Sequence, residues 1–252
     1  MPQSYFIWKG IDCRTKHVIM QQPAPLIMPE ERVQHKEVPG VNGDVTQREQ
    51  QYEIGSYNSY IQTAHIAVDG RVNVKELYKW LRGNGYVTFS TDPERRQKAQ
   101  IIGALTLNKH SHNQDWYEGE VQFYCQPFKE RLAEVEQTIN SSDSTKVVRN
   151  DGDIWAKPLI KLTTTATSVW FAITKGTSTR RINVDMSNLS NQDIYIDCET
   201  MEVYDAPRTG FMTWRSTVTG SGRWWPLLYY GENTVTGEGW SKAVITKRER
   251  FL

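Results

Sequence analysis

The stretch Tyr5–Met20, YFIWKGIDCRTKHVIM, decides how the chain is read. Tyr5–Trp8 is an aromatic and β-branched run that suits a strand. Lys9-Gly10 stops it, and glycine is the residue that tolerates a tight reversal. Ile11-Asp12-Cys13-Arg14 follows, and a second strand-like run resumes at His17–Met20. Two meanings compete for the middle. Asp12-Cys13-Arg14 is either a thiol between charges, poised as a nucleophile, or a joint between strands. A reactive thiolate needs a depressed pKa, from a cation or a helix amino terminus. Arg14, Lys16 and His17 are near in sequence. Nothing in the stretch reads as a helix start and no cysteine-hydrolase signature surrounds it. The joint is the expectation: Asp12 bonding turn amides, Arg14 pairing with an acid.

Working outward, strand patterns dominate. In the first half they are His65–Val68, Tyr86–Phe89, Gln100–Ile102 and Glu120–Tyr124, separated by Gly, Asn, Asp and Pro. One helix interrupts them, in NVKELYKWLRGNG. Asn73 is placed to cap it, with Glu76 three residues on in a capping-box-like start. Val74, Leu77, Tyr78 and Leu81 make an apolar stripe at helical spacing, and Gly83 is the stop. Leu132–Asp153 is polar and rich in Ser, Asn and Asp, and reads as a linker or a strand crossing to a second domain. Beyond it come Leu159–Leu162, Val169–Ile173, Arg181–Val184, Asp193–Asp197 and Glu202–Tyr204. Strands at that spacing are the pattern of a sandwich. The double turn in Val33–Val45 (VQHKEVPGVNGDV) and the polar Gln47–Tyr52 after it read as a projecting loop or an exposed edge.

Composition narrows the function. The 252 residues suffice for two β domains, and 30 basic against 29 acidic residues leave a net charge of +1. That balance favours neither nucleic acid nor an anionic membrane surface as partner. Cys13, Cys125 and Cys198 are few, odd in number and far apart, so neither a disulfide framework nor a zinc site is expected. Met1–Gly10 lacks the basic start and long apolar core of a signal peptide, so synthesis in a cytoplasm is expected, without export by a standard signal.

The chemistry-bearing residues form no convincing set. Of His17, His35, His65, His110 and His112, only His110-Ser111-His112 is a close pair, with Asp115 nearby in a hairpin-like loop. A metal would need a further ligand from elsewhere. Glu118, Glu120, Asp197 and Glu199 are acids that could flank a sugar, yet they alternate with basic and apolar residues as solvated strand faces do. GxSxG, HExxH, Walker A and GxGxxG motifs are absent from the sequence. No catalytic residues, cofactor or metal are therefore expected. The aromatic cluster Trp224, Trp225, Tyr229 and Tyr230, bracketed by glycines, is either a sugar-stacking platform or a buried corner.

Several stretches together resemble one family. Phe6–Arg14 (FIWKGIDCR) is similar to the amino-terminal signature of siphophage distal tail proteins, the Dit family, which commonly show Gly, then Asp, Ser and Arg. The prolines of Gln22–Pro29, the turn Val38-Pro39-Gly40-Val41-Asn42-Gly43, and the unit Glu76–Phe89 with Asp92-Pro93 follow in the expected order. So do Asn150-Asp151-Gly152-Asp153 with Pro158-Leu159-Ile160, Trp225-Pro226-Leu227 with Gly231-Glu232-Asn233-Thr234, and the ending Ile245–Phe251. Cys13 stands where Ser is usual and Trp225 where Phe is usual; both substitutions suit structural positions.

The resemblance covers nearly the whole chain. It implies a mainly β protein of two domains: residues 1–135, with a returning segment 241–252, as a tail-tube-like β-sandwich or split barrel with one helix, and 150–240 as a galectin-like or carbohydrate-module-like β-sandwich. It implies no enzyme. The implied role is a homohexameric ring at the tip of a non-contractile phage tail, with the virion as its location. Its partners would be the tail tube, a tail-tip hub protein or tail-associated lysin, and receptor-binding proteins. The alternative is a carbohydrate-binding module, an adhesin recognising host cell-wall polysaccharide, in which Trp224, Trp225, Tyr229 and Tyr230 would stack on sugar rings.

Overall fold

The computed structural model describes residues 4–37, 39, 42–48, 50–51, 54–109, 115–187, 192–205, 213–220 and 225–252. The chain divides into two compact units, residues 1–132 with Leu252, and residues 133–251. Each has its own core.

The first unit contains β1 (Phe6–Trp8), β2 (Ile11–Asp12), β3 (Val18–Met20), β4 (Val33–Glu37), β5 (Asp44–Arg48), β6 (Gln50–Gln51), β7 (Ile54–Gly55), β8 (Tyr60–Asp69), α1 (Val74–Leu81), β9 (Asn84–Phe89), β10 (Arg95–Ile102), β11 (Leu107–Lys109) and β12 (Trp116–Arg131). Its main sheet runs β2-β1-β9-β10-β12-β8-β3, with β11 alongside β12. The pairings along that path are antiparallel. Alternation sets the faces: Ala64, Ile66 and Val68 of β8 and Val121, Phe123 and Cys125 of β12 are buried on one side. β4 pairs β5, and β6 pairs β7, as separate two-stranded sheets.

The helix is where expected but turned slightly. Asn73 Oδ1 accepts the N–H of Lys75 at 3.1 Å, and Gly83 takes φ +89° just past the end. The buried residues are Leu77, Trp80 and Leu81. Tyr78, expected in the stripe, is exposed, and its hydroxyl donates to the Leu105 carbonyl at 3.2 Å. Trp80 takes its place because its partner is remote in sequence. The Trp8 indole N–H donates to the Trp80 carbonyl at 3.1 Å, and the Trp80 indole N–H donates to the Trp8 carbonyl at 3.3 Å. Phe6 stacks on Trp80 at 5.9 Å between ring centroids. Phe6, Trp8 and Phe89 each meet Phe123 edge-on at 5.3–5.5 Å. The first strand and the helix thus close one aromatic core.

The second unit contains β13 (Glu136–Asn140), β14 (Val147–Asn150), β15 (Leu159–Thr164), β16 (Ser168–Lys175), β17 (Ser178–Asp185), β18 (Asp193–Asp197), β19 (Glu202–Asp205), β20 (Ser216–Gly220), β21 (Gly231–Glu238) and β22 (Trp240–Thr246). They form two five-stranded sheets, β13-β22-β15-β18-β19 and β14-β21-β16-β17-β20. Ile160, Leu162, Ile194, Ile196 and Ile245 from one pack with Val169, Phe171, Ile173, Ile182 and Val235 from the other. This is a sandwich core.

Of the two readings of the polar stretch Leu132–Asp153, linker or strand, the strand holds in part: β13 and β14 lie within it, one in each sheet. Each needs few apolar residues, because it borders its sheet and buries only alternate side chains, such as Ile139 and Val148. The segment 241–252 begins within the sandwich. Ser241–Thr246 pairs with β13 and β15, and its alternate residues Ala243 and Ile245 fill the sandwich core. Leu252 groups with the first unit, and it accepts from Lys129 Nζ at 3.4 Å.

Candidate functional site

The joint at Cys13 is built from its own residues. Trp8 pairs Ile11 across Lys9-Gly10, and both turn residues have positive φ, 52° and 77°. That is the primed two-residue turn whose twist matches antiparallel strands. Cys13–Lys16 then makes a 3-10 turn, so the stretch does start a short helical turn. Asp12 bonds the turn amide as expected: Oδ1 accepts the Arg14 N–H at 2.9 Å. The Arg14 guanidinium forks back onto the same carboxylate, with NH2 to Oδ2 at 2.5 Å, and lies 4.0 Å from the Tyr5 ring centroid. Arg14 holds the Asp12 carboxyl below the usual carboxylate range.

Cys13 itself is fully buried, and its Sγ accepts the Phe6 N–H at 3.4 Å. Burial pushes its thiol above the ordinary value. The same cause pushes Cys125 up to about 12 and raises Cys198 further. All three are free thiols with the opposite of nucleophilic tuning.

The acids are engaged. Asp197 receives Arg248 through two bonds, NH1 to Oδ1 at 2.6 Å and NH2 to Oδ2 at 3.0 Å. Glu199 pairs with Arg250. Burial alone would raise the Asp197 pKa, but the Arg248 bonds and charge, together with the Glu199 and Thr200 backbone N–H groups, outweigh it and the carboxyl sits below its ordinary value. Glu118 accepts from Gln21 Nε2 at 2.7 Å, and Glu120 lies 3.1 Å from His65 Nδ1. Glu118, Glu120 and His65 line a solvent-open cavity of about 530 Å³ on the first unit. Gln21, Gln122, Asn108 and Thr106 line it together with Ile102 and Ala104.

His110-Ser111-His112 lies outside the described residues. Asp115 is within them, and its carbonyl accepts the Gly70 N–H at 2.6 Å. No group of three His, Cys, Asp or Glu among the described residues has metal-site geometry.

The aromatic cluster resolves as a buried corner. Pro226, Leu227, Leu228 and Tyr229 are buried, and Trp225 is partly buried against the sandwich core. The Tyr229 hydroxyl accepts Arg180 Nε at 2.8 Å inside that corner. Tyr230 alone of the described members is exposed, and Trp224 lies outside the described residues. A flat platform needs several coplanar exposed faces, which Trp225, Tyr229 and Tyr230 do not offer together.

Two motif asparagines hold the same corner. Asn150 Nδ2 donates to the carbonyls of Ile154 at 2.8 Å and Leu228 at 3.1 Å, while its Oδ1 accepts the Gly152 N–H at 3.0 Å. Asn233 Oδ1 accepts the Tyr229 N–H at 2.9 Å, and Nδ2 donates to the Tyr229 carbonyl at 2.7 Å. Both side chains are buried, so the motif residues carry fold rather than chemistry. Sequence reasoning missed the Arg180–Tyr229 bond and the Trp8–Trp80 exchange. No local spacing signals either, since their partners lie 49 and 72 residues apart.

No family model and no curated protein sequence matches the chain. Among solved structures, the chain is similar to that described as "Crystal Structure of SPP1 Dit (gp 19.1) Protein, a Paradigm of Hub Adsorption Apparatus in Gram-positive Infecting Phages". The TM-score is 0.75 at 17% sequence identity, over 99% of this chain and 99% of that one. The mainly β chain, with one helix in the first unit and a sandwich in the second, has the fold of a phage distal tail protein.

Proposed function

We propose that the chain is a structural hub of a long-tailed phage: a homohexameric ring at the tail tip, between the tail tube and the tail-tip hub protein or tail-associated lysin. Receptor-binding proteins are further partners in this reading, and the virion is its location. The observation that carries it is the end-to-end likeness in fold to a hub protein, covering 99% of both chains. Local chemistry supports it. The sequence motifs shared with such proteins serve turns and buried amide bonds, and the thiols are buried rather than activated.

A ring is a head-to-tail interface closed by rotation, so each copy presents two different surfaces. The polar segment Thr46–Asn58, which lies partly outside the described residues, is suited to reach a neighbour by strand addition. The test is mass photometry and negative-stain imaging of the purified chain, with antibody labelling of intact virions. Label at the tail tip, with sixfold rings or a sixfold mass, is the expected result. Label elsewhere on the particle, or virions without the chain, overturns the reading. The alternative of a carbohydrate-binding module gains no support from the buried corner at Pro226–Tyr229.

A further inference from the structure

The sequence holds two Asn-Gly pairs, Asn42-Gly43 and Asn84-Gly85. An asparagine before glycine carries a reaction of its own. The next main-chain nitrogen attacks the side-chain carboxamide carbon, and a glycine, having no Cβ, puts nothing in the way. Both asparagines are exposed, so access to water does not separate them. Their backbones do.

Asn84-Gly85 begins β9, inside the main sheet. Asn84 stands opposite Gln100, and Gly85 opposite Ala99, in the ladder with β10. In a strand the side chain projects from the sheet face while the N–H groups lie in the plane of the sheet. The carboxamide carbon and the next nitrogen therefore point apart. The space over Gly85 is also filled: a Cβ there would lie 2.6 Å from Lys9 Cγ and 3.3 Å from Trp8 Cη2. Attack at Asn84 requires the ladder to open first.

Asn42-Gly43 is held by neither device. The hairpin of β4 and β5 runs in register from Val33 with Arg48 to Glu37 with Asp44, which leaves residues 38–43 outside the ladder. Gly43 has φ +84°, and a Cβ built on it would meet no described atom within 4 Å. Among the described residues, neither Asn42 nor Gly43 has a hydrogen-bond partner.

We infer that Asn42 is a site of self-modification, converting by hydrolysis to aspartate and isoaspartate in the folded protein while Asn84 is protected. The Gly43 nitrogen bonds to Asn42 Cγ, and the Gly43 proton leaves with the side-chain amine as ammonia. Water then opens the cyclic imide. Cleavage at Cγ gives aspartate, and cleavage at the main-chain carbonyl gives isoaspartate; either restores the Gly43 N–H. No electrons are exchanged, and water is the only co-reactant. Glu37 and Asp44 already stand opposite each other in the register, so the product adds a third acidic residue at that end. Isoaspartate also lengthens the main chain by a methylene. A two-stranded ribbon is marginal by itself, so the change loosens the hairpin. Both hydrophobic cores are spared, because neither residue belongs to them.

The test is incubation of the full chain in heavy-oxygen water at mildly alkaline pH, followed by digestion in ordinary water and peptide mass spectrometry. Trypsin separates the two sites, into peptides 37–48 and 83–95. In the folded chain, labelled acid should form at Asn42 at least about ten times faster than at Asn84, because the strand pair must open first. In guanidinium the two sites should convert at similar rates. Isoaspartyl methyltransferase should label peptide 37–48 of the aged protein and not that of Asn42→Gln. Asn84 converting as fast as Asn42 in the folded chain overturns the inference. So does an intact Asn42 in the folded chain while the unfolded control converts.

Discussion

The two units solve the same packing problem with different materials. The first closes its sheet and helix with rings: Phe6, Trp8, Trp80, Phe89 and Phe123 meet in one cluster. The second packs two sheets mainly with aliphatic side chains around the Phe171–Trp240 ring pair, and secures one end with charges. Asp197 and Arg248 form a two-bond pair there, Glu199 pairs with Arg250, and buried Glu249 accepts the Asp151 N–H at 3.0 Å. The lesson lies in shape. A sandwich interleaves two similar faces, which branched aliphatics fill well. A lone short helix on a sheet leaves deeper, uneven gaps that large planar rings fill better.

That contrast can be broken at its strongest point first. Phe123 is fully buried and touches three other rings, so Phe123→Ala should cost the first unit about 3–5 kcal/mol. Urea unfolding followed by tryptophan fluorescence checks this. One transition should move to lower denaturant while the other holds; a common shift of both would mean that the units do not unfold separately.

The charged end of the sandwich should respond less, and to pH. Asp197→Asn leaves Arg248 without its anion and should cost about 2–3 kcal/mol at neutral pH, less than a fully buried pair because Arg248 is 28% exposed. Asp197 has a folded pKa below its unfolded value, so its contribution is present above about pH 4. It is lost as pH falls through the lowered folded pKa. Wild-type stability should therefore drop on that acid limb, and the drop should shrink in Asp197→Asn. Equal acid limbs in both proteins would assign the effect to other carboxylates.

The smallest effect belongs to the joint. Cys13→Ser keeps an acceptor for the Phe6 N–H and should cost about 1 kcal/mol, the residue of burying a hydroxyl. A thiol reagent should label none of the three cysteines before unfolding. Rapid labelling of Cys13 in the folded chain would contradict its burial.

Much of this was legible from sequence where the causes are local. Asn73, Leu77, Leu81 and Gly83 marked the helix because capping and helical periodicity act within a few residues. Lys9-Gly10 marked a turn, and Asp193–Asp197 was read to the residue as a strand. The errors share one origin. Trp80, not Tyr78, enters the core because Trp8 offers it a carbonyl and Phe6 a ring face. β13 and β14 escaped notice because border strands carry a weak apolar signal. Asp12 bonds a turn amide as expected, but the 3-10 turn at Cys13–Lys16 was missed because no apolar pattern marks so short a turn.

The sequence by itself determined the class of the protein: β strands, one helix, few thiols, and turns at fixed places. These follow from backbone sterics and from side-chain alternation, which operate over a few residues. Only the tertiary structure decided what the marked residues do. It made Cys13 a buried joint, turned the Trp225–Tyr229 stretch into a packed corner, and closed Asp197 and Glu199 with arginines. Those outcomes depend on partners about 50 or more residues away, and burial and charge act through space without regard to sequence distance.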